Sequence, residues 1–432
     1  MVTIKLEIFF NNFGSSPVIP PLYADNYRMR TTIPRCLAAL LFLILGTAAN
    51  AEVFRFKHTE GDYWRINSIV LQTVSVDKEF SHNAEITNRI TLHISDVTDE
   101  SAEYTGTFMT SERTSNRSFS WGREYESVFR RDQFGNYSIQ DRYFMPVVRN
   151  VPVFPEQDVQ PGESWSAEGE EAHDLRDHFG LAKPFTVPFT AVYTYEGPVE
   201  LDGKTLHKII VEYTLFFDTP VTEEMLASPD KNIPVTTMGH SRQTLYWDND
   251  LGMLPNYSEE YRILLKLASG TLLEFKGTAE AVVTETKLMD REKEVREMNE
   301  ELEKLGIADT TAHESEEGIT ISMENIQFEP DSARLMPTEK EKITRIAALL
   351  ERYPDKELLI SGHTALAGTP GARQKLSEER AEAVAQFLVE MGVRSEYNVY
   401  TRGFGAERPV APNTTEANRA RNRRVEITIL EK

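Results

Sequence analysis

Apolar and β-branched residues alternate with polar ones through residues 66–76, 86–94, 186–195, 206–217 and 277–283. A period of two puts alternate side chains on opposite faces of a strand. Turn-forming groups separate these runs: Asp132 to Asn136 around Gly135, Gln160-Pro161-Gly162, Asp202-Gly203, and the acidic stretch 248–252. No long helical stripe interrupts them. Residues 52–284 are therefore predicted to form an all-β domain, either a sandwich or an up-and-down barrel. Within it, residues 151–179 are mixed and acidic and read as a long excursion over one end.

The period then changes. In residues 285–306, Leu288, Val295 and Leu302 fall seven apart, with Met298 and Leu305 on the same stripe and Arg291 breaking it. This predicts a helix, either a coiled-coil-like seam or a spacer packed on one of the domains. Residues 307–317 are polar and acidic and read as a flexible hinge, so 285–317 would be a helical spacer and hinge with few contacts between its flanking units. Residues 318–432 mix both periods. Strands are expected at 319–328, 358–361 and 397–402, a helix at 338–352 with Ile343, Ile346, Ala347 and Leu350 inward, and a short helix and last strand within 419–429.

A second helix is expected after residue 370. Leu376, Arg380, Val384, Phe387, Leu388 and Met391 recur at spacings of three and four, so they share one face. Arg380 occupies a place suited to an aliphatic residue. An inward guanidinium keeps its proton and needs an acceptor, and its fork suits a carboxylate. Before this helix, Gly362-His363-Thr364 closes the apolar run 358–360, and Gly368, Pro370 and Gly371 make a loop. A strand, a tight loop and a helix with an inward arginine would make a pocket for a small anion. The alternative is an internal partner such as Asp331 or Glu329.

Five blocks of this region resemble, in order, the OmpA-like C-terminal domain, the peptidoglycan-associated module of Gram-negative envelope proteins. They are NIQFEPDSARL from Asn325, GHT from Gly362, LSEERAEAV from Leu376, GFGAERPVAPN from Gly403 and NRARNRRVEITI from Asn418. The resemblance implies an α/β sandwich of helices on a mixed sheet that holds the diamino acid of the cell-wall stem peptide non-covalently. In that family an Asp after His-Thr takes the ligand amine and the helix Arg takes its carboxylate. Carried over to this chain, the binding residues would be Asp331, Thr364, Arg380, Arg423 and Arg424. Three positions depart from the pattern: Ala365 replaces the Asp, Ala367 stands where Thr or Ser is common, and Arg373 replaces the usual Asn. The Ala-Leu-Ala-Gly loop is similar to that of spirochaete members. The anion half of the pocket persists while the ammonium half is missing. Peptidoglycan association should be weakened or altered, unless the module has lost binding and acts as a protein-interaction scaffold.

Arg419, Arg421, Arg423 and Arg424 form a basic cluster in an acidic chain. It would face either cell-wall carboxylates or solvent at a helix end. The net charge of −21 argues against nucleic acid and against an anionic membrane surface as the main partner. Residues 29–51 have a basic start, an apolar core over 36–49 and a small-x-small end, which is the pattern of a cleaved secretory signal peptide. Residues 1–28 lack that character and read as an upstream mis-start. Cys36 is the only cysteine, so a mature chain from Glu52 would have no disulfide, thiolate nucleophile or zinc–thiolate site.

His82, His93, His173, His178, His207 and His240 show no i, i+4 pair, and the 248–252 turn is too short for a calcium loop with its distal Glu. There is no nucleophile elbow or phosphate loop. Tyr63, Trp64, Trp121, Trp165 and Trp247 would pack the core or line a cavity. The expectation is a non-enzymatic protein of the periplasm, associated with the outer membrane or cell wall. It would need no metal or cofactor, and its partners would be the stem peptide and other envelope proteins. A hydrolytic or lipid-binding role of the N-terminal domain is the remaining alternative.

Overall fold

The structure is a computed structural model that describes residues 51–113, 119–176, 181–201, 203–220, 233–287, 289–329 and 332–431. Residues 1–50, which hold the expected signal peptide and upstream segment, and His178, Leu288 and Asp331 lie outside the described residues.

Among the described residues, eighteen strands follow one another. The first thirteen are β1 (Tyr63–Val76), β2 (Glu79–Ser95), β3 (Ser101–Glu112), β4 (Phe119–Ser120), β5 (Arg123–Asp132), β6 (Tyr137–Ile139), β7 (Val148–Arg149), β8 (Ser164–His173), β9 (Phe185–Leu201), β10 (Lys204–Asp218), β11 (Pro234–Asp248), β12 (Met253–Leu267) and β13 (Leu272–Glu285). All but β4 build one 12-stranded antiparallel sheet in the order β6-β5-β3-β2-β1-β13-β12-β11-β10-β9-β8-β7. Pairing β1 with β13 curls this meander into a nearly closed sheet. Near its two ends the backbone N–H of Tyr137 donates to Asn150 Oδ1 at 2.7 Å.

The alternation sets the inside. In β9, Phe185, Val187, Phe189, Ala191, Tyr193 and Tyr195 are buried while Thr186, Pro188, Thr190 and Val192 are exposed. Aromatic edges fill the centre, with Trp247 T-shaped against Phe56 at 4.7 Å and Phe154 at 4.6 Å between ring centroids. The excursion expected at 151–179 is corrected in part. Residues 164–173 are strand β8, paired with β9 throughout. Its inner positions include Glu171 and His173, which satisfy each other at 3.0 Å, and Tyr213 also donates to Glu171 at 2.7 Å. A hydropathy pattern does not register inward positions of this kind.

The C-terminal sheet holds β14 (Thr310–Glu314), β15 (Gly318–Met323), β16 (Leu358–Gly362), β17 (Val399–Gly403) and β18 (Val425–Leu430). Among the described residues four α-helices accompany it: α1 (Arg291–Lys304), α2 (Pro337–Leu350), α3 (Pro370–Glu390) and α4 (Glu416–Asn422). Residues 310–314, expected as part of a hinge, form an ordered edge strand. Asn299 of α1 explains this, because its amide both donates to Ala312 O and accepts from Ala312 N at 2.8 Å. Met298 and Leu302 of α1 enter the same core as Ile319, Ile321, Ile343 and Leu388, so the helix packs on the C-terminal unit.

The expectation of few contacts between units is also corrected. The sheet order is β14-β15-β18-β16-β17-β4, so β4, from the N-terminal half, caps the edge of β17. Phe119 pairs with Tyr400 and Ser120 with Thr401 in a parallel register. Met109, Phe119, Leu359, Tyr400 and Leu430 are buried together behind this seam. Beside them Glu357 accepts from Arg89 at 2.8 Å and from Tyr400 at 3.0 Å. The outward face of β1–β3 looks like a solvated face along the chain, and it is the distant C-terminal unit that covers it.

Candidate functional site

The site lies where β16 ends. His363 N–H donates to Arg424 O at 3.0 Å and Thr364 N–H to Gly405 O at 2.7 Å, which ties the loop after β16 to the chain around β17 and β18. Helix α3 begins beside it. Thr369 caps it by accepting from Ala372 N at 3.3 Å, with Pro370 in the first turn. Gln374 Nε2 then donates to Gly403 O at 2.9 Å, and Ser377 Oγ accepts from Gly405 N at 2.9 Å. Two glycines permit this approach: a Cβ at Gly362 would lie 2.0 Å from Ser377 O, and one at Gly403 would lie 2.6 Å from Ser377 Oγ.

Arg380 lies beside the buried stripe of α3 formed by Ser377, Ala381, Val384, Ala385 and Leu388, whereas its spacing in the sequence placed it within the inner face. Its guanidinium carbon lies 4.7 Å from the centroid of the Phe328 ring. Its Nε is buried without a hydrogen-bond partner. Burial, and then the charge of Arg423, hold its pKa below the usual guanidinium value. Glu329, offered as an internal partner, pairs with Arg334 at 3.7 Å. Asp331 lies outside the described residues.

The other carried-over residues have distinct surroundings. Arg424 is buried, and its Nε donates to Glu426 Oε1 at 2.7 Å while Nη1 has no partner. The other oxygen of Glu426 meets His363 Nε2 at 3.2 Å, and His363 stacks on Phe404 with centroids 5.1 Å apart. Burial opposes the charge of Glu426, but the hydrogen bond from His363 and the adjacent Arg424 outweigh it and hold the carboxyl at about 2. Burial keeps His363 below the ordinary histidine value, against the pull of Glu426. Thr364 Oγ1 is buried and unpartnered. Arg423 is half-buried and donates to Glu416 at 2.7 Å.

The rest of the basic cluster turns to acids of its own unit: Arg419 to Glu416 at 2.9 Å and Arg421 to Glu324 at 2.8 Å. Ala365 is buried at the site and contributes neither charge nor acceptor. Ala367 is exposed. Arg373 donates to Gly368 O at 2.6 Å, which holds its guanidinium against its own loop.

Sequence reasoning missed three positioning residues. Glu426 orients both His363 and Arg424. Asn422 is buried, accepts from Val410 N at 2.9 Å and Ala411 N at 3.0 Å, and donates to Ala411 O at 2.8 Å. Asn413 accepts from Leu366 N at 3.0 Å and so holds the loop that contains Ala365. The polar ends of the GFGAERPVAPN and NRARNRRVEITI blocks were the available signal for the last two.

Among the described residues no group of His, Cys, Asp and Glu could hold a metal ion. No described helix is long and apolar enough to cross a membrane.

The OmpA family profile matches residues 327–423. Peptidoglycan-binding protein ArfA of Mycobacterium tuberculosis is 40% identical over 104 residues, which is 24% of this chain and 32% of that protein. Probable lipoprotein YiaD of Escherichia coli is 36% identical over 105 residues, 24% of this chain and 48% of that protein. The chain thus spans between a third and a half of the length of these curated relatives. A solved outer membrane protein structure from Borrelia burgdorferi B31 shares 34% identity, covering 28% of this chain and 97% of that one, with a TM-score of 0.24. With the blocks at β16, α3, α4 and β18 standing together around Arg380, this chain contains an OmpA family domain at residues 327–423.

Proposed function

We propose that this is a non-enzymatic cell-envelope protein whose C-terminal module associates with the peptidoglycan stem peptide through an incomplete pocket. The observation behind this reading is a set of orphaned donors. Arg380 Nε, Arg424 Nη1 and Thr364 Oγ1 are each buried without a partner. Buried polar atoms rarely go unsatisfied, and two cationic donors in one site call for an anion. The relatives named above, one of them a peptidoglycan-binding protein, support a carboxylate of the cell wall as that anion. Arg380 binds it and Arg424 supports it, with Asp331 and Arg423 as the other residues carried over from the family pattern. The protein works in the periplasm, against the outer membrane or cell wall, after export on its signal peptide.

Ala365 weakens or alters this binding. A charge-assisted hydrogen bond contributes about 1.5–3 kcal/mol. At about 1.4 kcal/mol per decade, its loss lowers affinity roughly ten- to a hundredfold. Arg373, held against Gly368, adds little repulsion.

The test is co-sedimentation of the full chain with peptidoglycan, together with titration of a diaminopimelate-containing peptide. Ala365→Asp should gain affinity, and Arg380→Ala should abolish that gain. Tight binding by the unmodified chain that vanishes in Arg380→Ala would show that the aspartate is not needed. Absence of binding by every variant would favour a second reading, a module kept as a scaffold. The buried seam at Phe119, Tyr400 and Glu357 supports that reading, since it makes the module a structural part of the sheet domain.

A further inference from the structure

The nearly closed sheet contains a cavity of about 70 Å³, lined by Trp64, Ile90, Phe108, Phe129, Val151 and Tyr257 among others. Val282 also borders it and is 47% exposed, so the cavity is open to solvent on that side. Its wall is mostly apolar, with Asn256 and one charged side chain, Arg131, among its lining residues. Arg131 of β5 lines it and is only 9% exposed, and its side chain has no hydrogen bond or ion pair among the described residues. Its Nε is buried and unsatisfied.

The surroundings of Arg131 explain how the chain tolerates it. Its guanidinium carbon lies 3.7 Å from the ring centroid of Phe56 and 4.8 Å from that of Tyr137. Aromatic faces stabilise the cation but leave the in-plane N–H donors of the fork without acceptors. The adjacent Asp132 does not supply one. Its Oδ1 accepts from the N–H groups of Phe134, Gly135 and Asn136 at 2.9, 2.8 and 2.8 Å, and its Oδ2 accepts from Asn136 Nδ2 at 2.8 Å.

We infer that this cavity binds an anionic amphiphile, with the apolar chain against Trp64 and Phe108 and the acidic head on the edge of Arg131. An apolar cavity with one fixed charged group is the usual build of a small-ligand site. Its volume is roughly half that of the ~150 Å³ apolar cavity known to take benzene. It therefore holds the end of a short chain, with the remainder toward the mouth. A neutral or cationic amphiphile leaves Arg131 unpaired or repels it. The site is separate from the one around Arg380 and does not depend on peptidoglycan binding.

The experiment titrates the full chain with octanoate, octyl phosphate, octanol and octylammonium below their micelle concentrations, by calorimetry and by tryptophan fluorescence. One saturable site is expected for octanoate or octyl phosphate, and the tighter of the two identifies a fatty-acid or phospholipid type of head. Octanol should bind at least about tenfold more weakly, in line with one charge-assisted hydrogen bond. Octylammonium should not bind. Arg131→Gln should bring the anion down to the octanol level and leave octanol unchanged. Ala281→Phe fills the cavity while keeping Arg131, and should remove binding of both. Circular dichroism confirms the fold of each variant. Equal affinity for octanoate, octyl phosphate and octanol, unchanged binding in either variant, or no saturable binding would overturn the proposal.

Discussion

Arg89 of β2 donates to Glu357 at 2.8 Å, and the two side chains are 3% and 2% exposed. They stand 268 residues apart and join the large sheet to the C-terminal unit. Arg65 lies 3.5 Å from the same carboxylate. Removing one partner of a buried pair leaves an uncompensated charge and costs about 3–5 kcal/mol. The described chain should therefore unfold in one calorimetric transition, and Arg89→Met should lower its midpoint. Two well-separated transitions, with only one moved or neither, would show that the units fold independently.

The acid limb of stability should report on Glu426. Its folded pKa of about 2 lies below the ordinary glutamate value of 4.5. A depressed carboxylate contributes stability that is fully present above the unfolded pKa and is lost as pH falls through the folded one. The window is therefore from about 4.5 down to about 2, and the contribution is at most roughly 3 kcal/mol. Denaturant midpoints of the native chain should fall across that window, and Glu426→Gln should flatten the fall. An acid limb of the same slope in the variant would remove Glu426 as its source.

Gly362 sets the distance between β16 and α3. A Cβ there would lie 2.0 Å from the backbone oxygen of Ser377, which cannot move without shifting the helix that holds Arg380. Gly362→Ala should cost about 1–3 kcal/mol, the range for overpacking, and should weaken any ligand that needs Arg380 and Thr364 together. Gly371, with open space around it, is the control. If Gly362→Ala left stability as Gly371→Ala does, the close approach would be wrong.

The OmpA-like module was legible in unusual detail because its signals are local. Inner faces of helices, glycines at close approaches and an arginine in an aliphatic place are all visible within a few residues of each other. Arg380 flanks the buried stripe of α3, which runs through Ser377, Ala381, Val384, Ala385 and Leu388, and its Nε is unpartnered. The residues that tune the site were harder to find. Glu426 and Asn422 act through partners brought in by the meeting of β16, α4 and β18. Neither has a spacing of its own that separates a buried organiser from a surface polar residue.

Along the sheet domain, alternation by itself determined that residues 52–284 form strands with one apolar face, because a period of two needs no partner to be seen. It did not determine the order of those strands or the curl that closes β1 onto β13, since register depends on pairings between distant segments. It also hid β8, whose inner positions include Glu171 and His173, satisfied by each other and by Tyr213 of β10. The seam between the units has the same cause. Phe119, Arg89 and Glu357 look like ordinary edge and surface residues until the fold places them against one another. Whether a polar group is solvated, paired or left waiting for a ligand is decided by what the tertiary structure packs against it, as it is for Arg131 and Arg380.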